Sequence, residues 1–238
     1  MPPEGSNPPS ALGLRQISLL AGLSAASLEA LARECAWRNF AAGQGIISRN
    51  ASDRDVYLVV AGRVRVTTYS IAGRQVTFRD LGAGDLFGDV AAIDGMPRSA
   101  DVVALESTLV ASLAPAAFWR LLRAEPDVAE RALRGLAGLV RRLSERVIDL
   151  STLGVQNRIH SDLLRRARAA GVSGNTARID PAPKHADIAS QVSTYREQVT
   201  RELSALAKAG VLGKEDGALV IRDLVRLERL VEEVRGTA

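Results

Sequence analysis

One cysteine, Cys35, and two histidines, His160 and His185, are the only thiol and imidazole groups in 238 residues. A lone thiol cannot form an internal disulfide framework, a four-cysteine zinc site or an iron–sulfur cluster. It points instead to a reducing cytoplasm. No apolar run approaches the roughly 20 residues that cross a bilayer, so no membrane partner is expected. The first ten residues, Met1–Ser10, include four prolines and lack a basic stretch followed by an apolar one. They do not read as a secretory signal, and residues 1–13 are expected to form a disordered leader. The chain also lacks H-x-x-E-H, G-x-S-x-G and P-loop patterns, so it is read as a non-enzyme with no metal and no cofactor.

What is present is an ordinary globular composition, 47% hydrophobic and 24% charged, with a net charge of +4. The surplus is localised: Arg158 to Lys208 holds nine Lys/Arg against five Asp/Glu. A mild basic excess gathered in one segment permits a nucleic-acid partner without establishing one.

Apolar spacing divides the chain into three parts. Residues 14–35 are helix-like, with Ser24 a suitable N-cap. From Phe40 to Leu113 short runs alternate between glycine punctuation, the pattern of a sandwich or barrel. Val56–Val60 reads as a strand that turns at Ala61-Gly62 into a return strand at Val64 and Val66, a hairpin; Ile71–Arg74 marks a further turn. A long helix starts near Pro126. Its apolar residues Ala129, Leu133, Leu136, Val140, Leu143, Val147 and Leu150 follow heptad steps, which favours a seam with a second copy over packing within the chain. Gly154 and Asn157 suggest a hinge, Arg158–Ala167 a short amphipathic helix, and Gly171–Ala177 a polar connection.

The segment Phe87-Gly88-Asp89-Val90-Ala91-Ala92-Ile93-Asp94-Gly95-Met96-Pro97-Arg98-Ser99-Ala100 has the residues to hold a sugar phosphate. Gly88 has no Cβ to obstruct a ligand, Arg98 offers a planar fork of donors, and Asp89 can accept from a ribose hydroxyl. The segment resembles the phosphate-binding cassette of cyclic-nucleotide-binding domains, whose pattern runs F-G-E, then a small-apolar stretch, then P-R-[S/T/A]-A. It departs at Asp89, where glutamate is usual.

Residues 185–208 read as two helices with a tight turn at Ser193-Thr194. Val199, Leu203 and Leu206 form a buried stripe on the second helix, and Arg196, Glu197, Thr200 and Arg201 share the opposite face near its start. Arginine can bridge guanine O6 and N7, and glutamate can accept from the cytosine amino group. Arg196-Glu197-Gln198-Val199-Thr200-Arg201-Glu202-Leu203 matches the R-E-x-V-x-R-x-L recognition helix of the CRP/FNR family, which the chain resembles over residues 14–222.

That resemblance implies an α+β architecture: a cyclic-nucleotide-binding β-roll (a double-stranded jelly roll) over 14–125, a dimerisation helix over 126–153, and a winged helix-turn-helix over 154–238. It implies ligand contacts from Phe87, Gly88, Asp89, Val90, Arg98, Ser99 and Ala100, with Leu143 and Ser144 from the long helix. For DNA it implies base contacts from Arg196, Glu197 and Arg201, and phosphate contacts from His185 and Gln198. Thr194, Tyr195 and Thr200 complete that surface, and Lys214 reaches a phosphate from a wing over Val211–Arg222. Implied partners are double-stranded DNA, cyclic AMP or cyclic GMP, a second copy of the chain, and RNA polymerase.

Three departures matter. Ser193 stands where the turn usually has glycine, and Tyr195 where the cap usually has Ser or Thr. On the long helix, Leu143, Ser144 and Leu139 stand where cyclic-AMP-responsive members carry threonine, serine and an arginine that braces the cassette acid. Asp89 is therefore expected to lack a bracing partner, and Ser99 becomes a route to a syn guanine. The alternative is a regulator of the same fold that answers another effector, or none, with a vestigial cassette. A last helix over 223–238 is expected to pack on the wing or on the β-roll.

Overall fold

The computed structural model describes residues 10–70, 73 and 75–235. It forms two compact units that divide between Leu139 and Val140, inside one long helix. The expected leader lies largely outside the described residues, as does most of the turn at Ile71–Arg74.

The first unit opens with α1 (Ala11–Arg15), which starts inside the expected leader, and α2 (Ala25–Glu34). Ser24 caps α2, its Oγ accepting from the Ser27 N–H at 3.0 Å. Eight strands follow: β1 (Ala36–Phe40), β2 (Gly45–Ile47), β3 (Val56–Ala61), β4 (Arg63–Tyr69), β5 (Gln75–Gly82), β6 (Leu86–Phe87), β7 (Asp101–Ala104) and β8 (Thr108–Leu113). They make two antiparallel sheets, ordered β1-β8-β3-β6 and β2-β7-β4-β5, which is a double-stranded jelly roll.

This topology corrects the expected hairpin. β3 and β4 do not pair; they belong to different sheets, and Gly62 sits at the corner between them. The unbroken apolar run of β3 follows from its two buried faces. Tyr57 and Val59 join the core cluster with Val64, Leu81 and Phe87, whereas Val56, Leu58 and Val60 join that of α1 and α2. Arg65 is buried rather than solvated, because Asp80 directly across the β4–β5 ladder takes both ends of its guanidinium, at 2.7 and 2.8 Å.

Three helices complete this part of the chain. α3 (Asp89–Asp94) lies within the cassette, and α4 (Pro115–Ala124) precedes the long α5 (Pro126–Thr152). Trp119 of α4 donates from Nε1 to the Ala92 carbonyl at 3.1 Å, fixing α4 to the cassette helix. Arg131 of α5 donates to the Leu19 carbonyl at 2.9 Å.

The second unit contains the end of α5, then α6 (Val155–Ala170), β9 (Val172–Ser173), β10 (Thr176–Ile179), α7 (His185–Gln191) and α8 (Arg196–Lys208), followed by β11 (Leu212–Glu215), β12 (Ala218–Ile221) and α9 (Leu224–Arg235). The strands form one sheet, ordered β11-β12-β10-β9. The turn between β11 and β12 is Asp216-Gly217, both at positive φ (46° and 80°), the geometry of a two-residue hairpin. Ile159, Leu163, Ile188, Val199, Leu203, Ile221 and Leu227 build the core. α9 packs mainly on α6, and its Leu224, Leu227 and Val231 share one core with the wing residues Leu212, Leu219 and Ile221. The break expected near Gly154–Asn157 falls at Leu153-Gly154, and Asn157 is already helical. Arg158 secures it, donating to the carbonyls of Leu153 at 2.8 Å and Val192 at 3.0 Å.

Candidate functional sites

The cassette is organised around Arg98, whose side chain is almost wholly buried. Its Nη1 donates to the Gly88 carbonyl at 3.0 Å and its Nη2 to the Asp55 carbonyl at 2.8 Å. Asp53 Oδ2 accepts from Nε at 3.2 Å and from Nη2 at 2.6 Å. The guanidinium also lies over the Tyr57 ring, 5.7 Å from its centroid, and Tyr57 stacks on Phe87 at 5.0 Å. Gly88 is needed twice over: its φ is +84°, and a Cβ there would meet the Asp55 carbonyl at 2.6 Å and Arg98 Nη1 at 2.8 Å. The space left by its missing side chain is thus used by Arg98 and the β2–β3 loop.

Phe87, expected among the ligand contacts, turns its side chain into the core at 2% exposure, so it holds the loop rather than lining a site. Ser99 is exposed, and Val90 and Ala100 are half-buried. Asp89 is half-buried as well, and loss of solvation pushes its carboxyl above the ordinary aspartate range. Arg79 of β5 pulls it back, followed by the backbone N–H groups of Asp89 and Val90. Arg79 thus offsets part of that penalty from the roll, without an ion pair to Asp89 among the described residues. Arg79 lies opposite Val66, and two residues from Leu81, which lies opposite Val64; that strand face turns into the core. Strand alternation counted from Leu81 could have found it.

Leu143 and Ser144 lie exposed on the part of α5 that belongs to the second unit. The heptad stripe is largely solvent-facing in the single chain. Leu133, Val140, Leu143, Val147 and Leu150 are all exposed, while Ala129 and Leu136 are half-buried.

In the second unit, Val192–Tyr195 joins α7 to α8. Ser193 adopts φ +55°, the left-handed conformation that suits glycine. Tyr195, the N-cap of α8, makes no side-chain cap bond. Thr194, expected at the DNA surface, is buried instead, and its hydroxyl donates to the Gln198 side-chain carbonyl, turning the Gln198 amide N–H groups outward. Thr200 donates to the Arg196 carbonyl at 3.0 Å and contacts His185 Nδ1 at 2.7 Å. Burial, then Lys214 and Arg196, lower the His185 pKa below its ordinary 6.5. His185, the wing lysine and the start of α8 are thus near one another, forming one basic edge. Arg196, Glu197 and Arg201 are exposed, and among the described residues their side chains make no hydrogen bond or ion pair. The Glu197–Arg201 spacing that permits an i, i+4 pair is not used. Sequence spacing did not reveal the contact behind this surface: His160 Nε2 and Glu202 Oε1, both buried, meet at 2.6 Å and tie α6 to α8.

A jelly roll followed by a helix-turn-helix with a wing defines a DNA-binding transcription regulator. Residues 37–125 match the family model for the cyclic nucleotide-binding domain, and residues 157–230 match the Crp-like helix-turn-helix domain. The cyclic AMP receptor protein of Thermus thermophilus is 32% identical over 196 residues, covering 81% of this chain and 87% of that protein. A CRP-like cAMP-activated global transcriptional regulator of Mycobacterium tuberculosis is 24% identical over 217 residues, covering 91% of this chain and 97% of that one. Among solved structures, the c-di-GMP responsive global regulator CLP of Xanthomonas campestris has the same fold, with a TM-score of 0.70 at 17% identity over 83% of this chain and 99% of that one. The chain belongs to the CRP/FNR family of transcriptional regulators.

Proposed function

We propose that this regulator works as a homodimer that binds a palindromic DNA site and is switched by cyclic AMP or cyclic GMP in the β-roll. The observation that carries the reading is the face formed by Arg196, Glu197 and Arg201. Three charged groups stand exposed at the start of α8 without partners among the described residues, and donors and acceptors of this kind read base edges in the major groove. His185, Gln198 and Lys214 supply phosphate contacts beside them, and Tyr195 and Thr200 flank them. Such contacts fix register without reading sequence.

Two copies join through the α5 stripe. This places the recognition helices in successive major grooves about one helical turn, roughly 34 Å, apart. In the cassette, the ligand phosphate takes donors from Arg98 and the nearby backbone, Asp89 accepts from the ribose, and Ser99 offers a hydroxyl to the base. α3 is bonded to α4 by Trp119, and only Glu125 separates α4 from α5. A shift in the cassette thereby has a covalent and hydrogen-bonded route into the dimer helix. The nucleotide biases this equilibrium only through its different affinity for the two states. The chain performs no catalysis, works in the cytoplasm and engages RNA polymerase as a further partner.

The relative from Thermus thermophilus is named for cyclic AMP, which favours that nucleotide. Loss of the threonine position at Leu143 and the hydroxyl at Ser99 favour cyclic GMP. A second reading, a regulator answering another effector or none, is favoured by the fork of Arg98, which is already occupied within the chain. Calorimetric titration of the purified protein with both nucleotides decides. Saturable binding of either supports the cyclic-nucleotide reading, and no heat from either leaves the second one.

A further inference from the structure

Arg98 has five N–H groups, and four of them are committed inside the cassette. Two converge on Asp53 Oδ2, one goes to the Asp55 carbonyl and one to the Gly88 carbonyl. Among the described residues, a ligand phosphate seeking a two-point contact finds one free donor. The two partners of the ion pair are unequally held. The arginine side chain is 2% exposed, fixed by two carbonyls and the Tyr57 ring, whereas the Asp53 side chain is 47% exposed. Among the described residues, Arg98 is the only hydrogen-bond partner of the Asp53 carboxylate, which uses one of its two oxygens. Asp53 also lies outside any helix or strand, on the loop between β2 and β3. The aspartate can swing out to solvent, and the arginine cannot follow it.

We infer that Asp53 is an affinity-determining residue of the cassette, an internal carboxylate that holds the Arg98 donors and must be displaced before a phosphodiester can take them. This rests on reading the cassette as a cyclic-nucleotide site. Charge argues for displacement over coexistence. The guanidinium and the carboxylate cancel, so a phosphodiester added to the intact pair would set a second anion against Asp53 over one cation. With Asp53 swung out, the same donors face the phosphate alone, and the aspartate regains water. Asp53 thereby sets a threshold: only a ligand that repays the lost pair from its ribose and base contacts occupies the site.

The test is calorimetric titration of the full-length wild type, Asp53→Asn and Asp53→Ser with cyclic AMP and cyclic GMP. Asparagine keeps the shape and one acceptor without the charge, and serine removes the reach altogether. Charge-assisted bonds to a buried arginine are worth more than surface pairs, but the solvent-facing aspartate discounts that value, so both variants should bind about tenfold more tightly than wild type. Detectable binding in the variants and none in the wild type also supports the threshold. Wild-type binding with equal or weaker affinity in both variants overturns the role of Asp53 and leaves the nucleotide reading standing. If none of the three proteins binds either nucleotide, the nucleotide reading falls and takes this inference with it.

Discussion

Two charged side chains in the cassette feel charges that lie outside its motif. Arg98 was legible because F-G-D and P-R-S-A stand at fixed spacing, but Asp53 lies 45 residues before it on another loop. Arg79 offsets part of the burial penalty on Asp89 from a strand, where the sequence pointed to a gap on α5. Motif spacing reports what is adjacent along the chain, and neither pairing is. Asp89 also carries a prediction about stability. Its folded pKa lies above the ordinary 3.8, so between those two values the folded state holds more protons than the unfolded state. Its contribution to stability therefore falls as pH rises through that window, and the cost persists above it. Asp89→Asn removes that cost. The ligand-free mutant should resist unfolding better than wild type at neutral pH, and the advantage should shrink as pH falls through the window between the raised folded pKa and the ordinary 3.8, and be gone below it. Both tryptophans, Trp37 and Trp119, lie in the first unit, so their fluorescence follows its unfolding. An advantage that grows on acidification would contradict this assignment.

At the level of elements, the long helix and the recognition helix were the most legible, because each carries a sustained period and a marked start. The expected span 126–153 meets a helix ending at Thr152. α4 was missed because its apolar residues directly follow β8 and its opening Pro115 gives the only break. The supposed β3–β4 hairpin failed for a different reason: a glycine corner that changes sheets looks, in sequence, like one that reverses a strand. Buried Arg65 was hidden too, since alternation assigns arginine to solvent unless its cross-strand acid is known. The α5 stripe gives the test at this scale. Val140 and Val147 are each 63% exposed in the single chain, so glutamate at either costs the isolated fold little. In a symmetric seam the same change sets like charges against each other. Val140→Glu and Val147→Glu should each sediment as a folded monomer where wild type sediments as a dimer. Dimers from both variants would remove α5 from the interface.

Across the whole molecule, the order of parts was readable because each has its own signature: a glycine-punctuated roll, a heptad helix, and a basic helical module. The packing of α9 on α6 was not, since its apolar stripe fits any exposed groove equally well. The chain divides inside α5, so one helix belongs to the first unit at its start and to the second at its end. The central claim is that nucleotide in the first unit governs operator binding by the second. Its most direct test is selection of duplexes from a random pool by the full-length protein, with cyclic AMP, with cyclic GMP and with neither. A twofold-symmetric sequence, its half-sites centred about one helical turn apart, should be enriched only when a nucleotide is present. Equal enrichment without nucleotide, or recovery of a lone half-site, would contradict it.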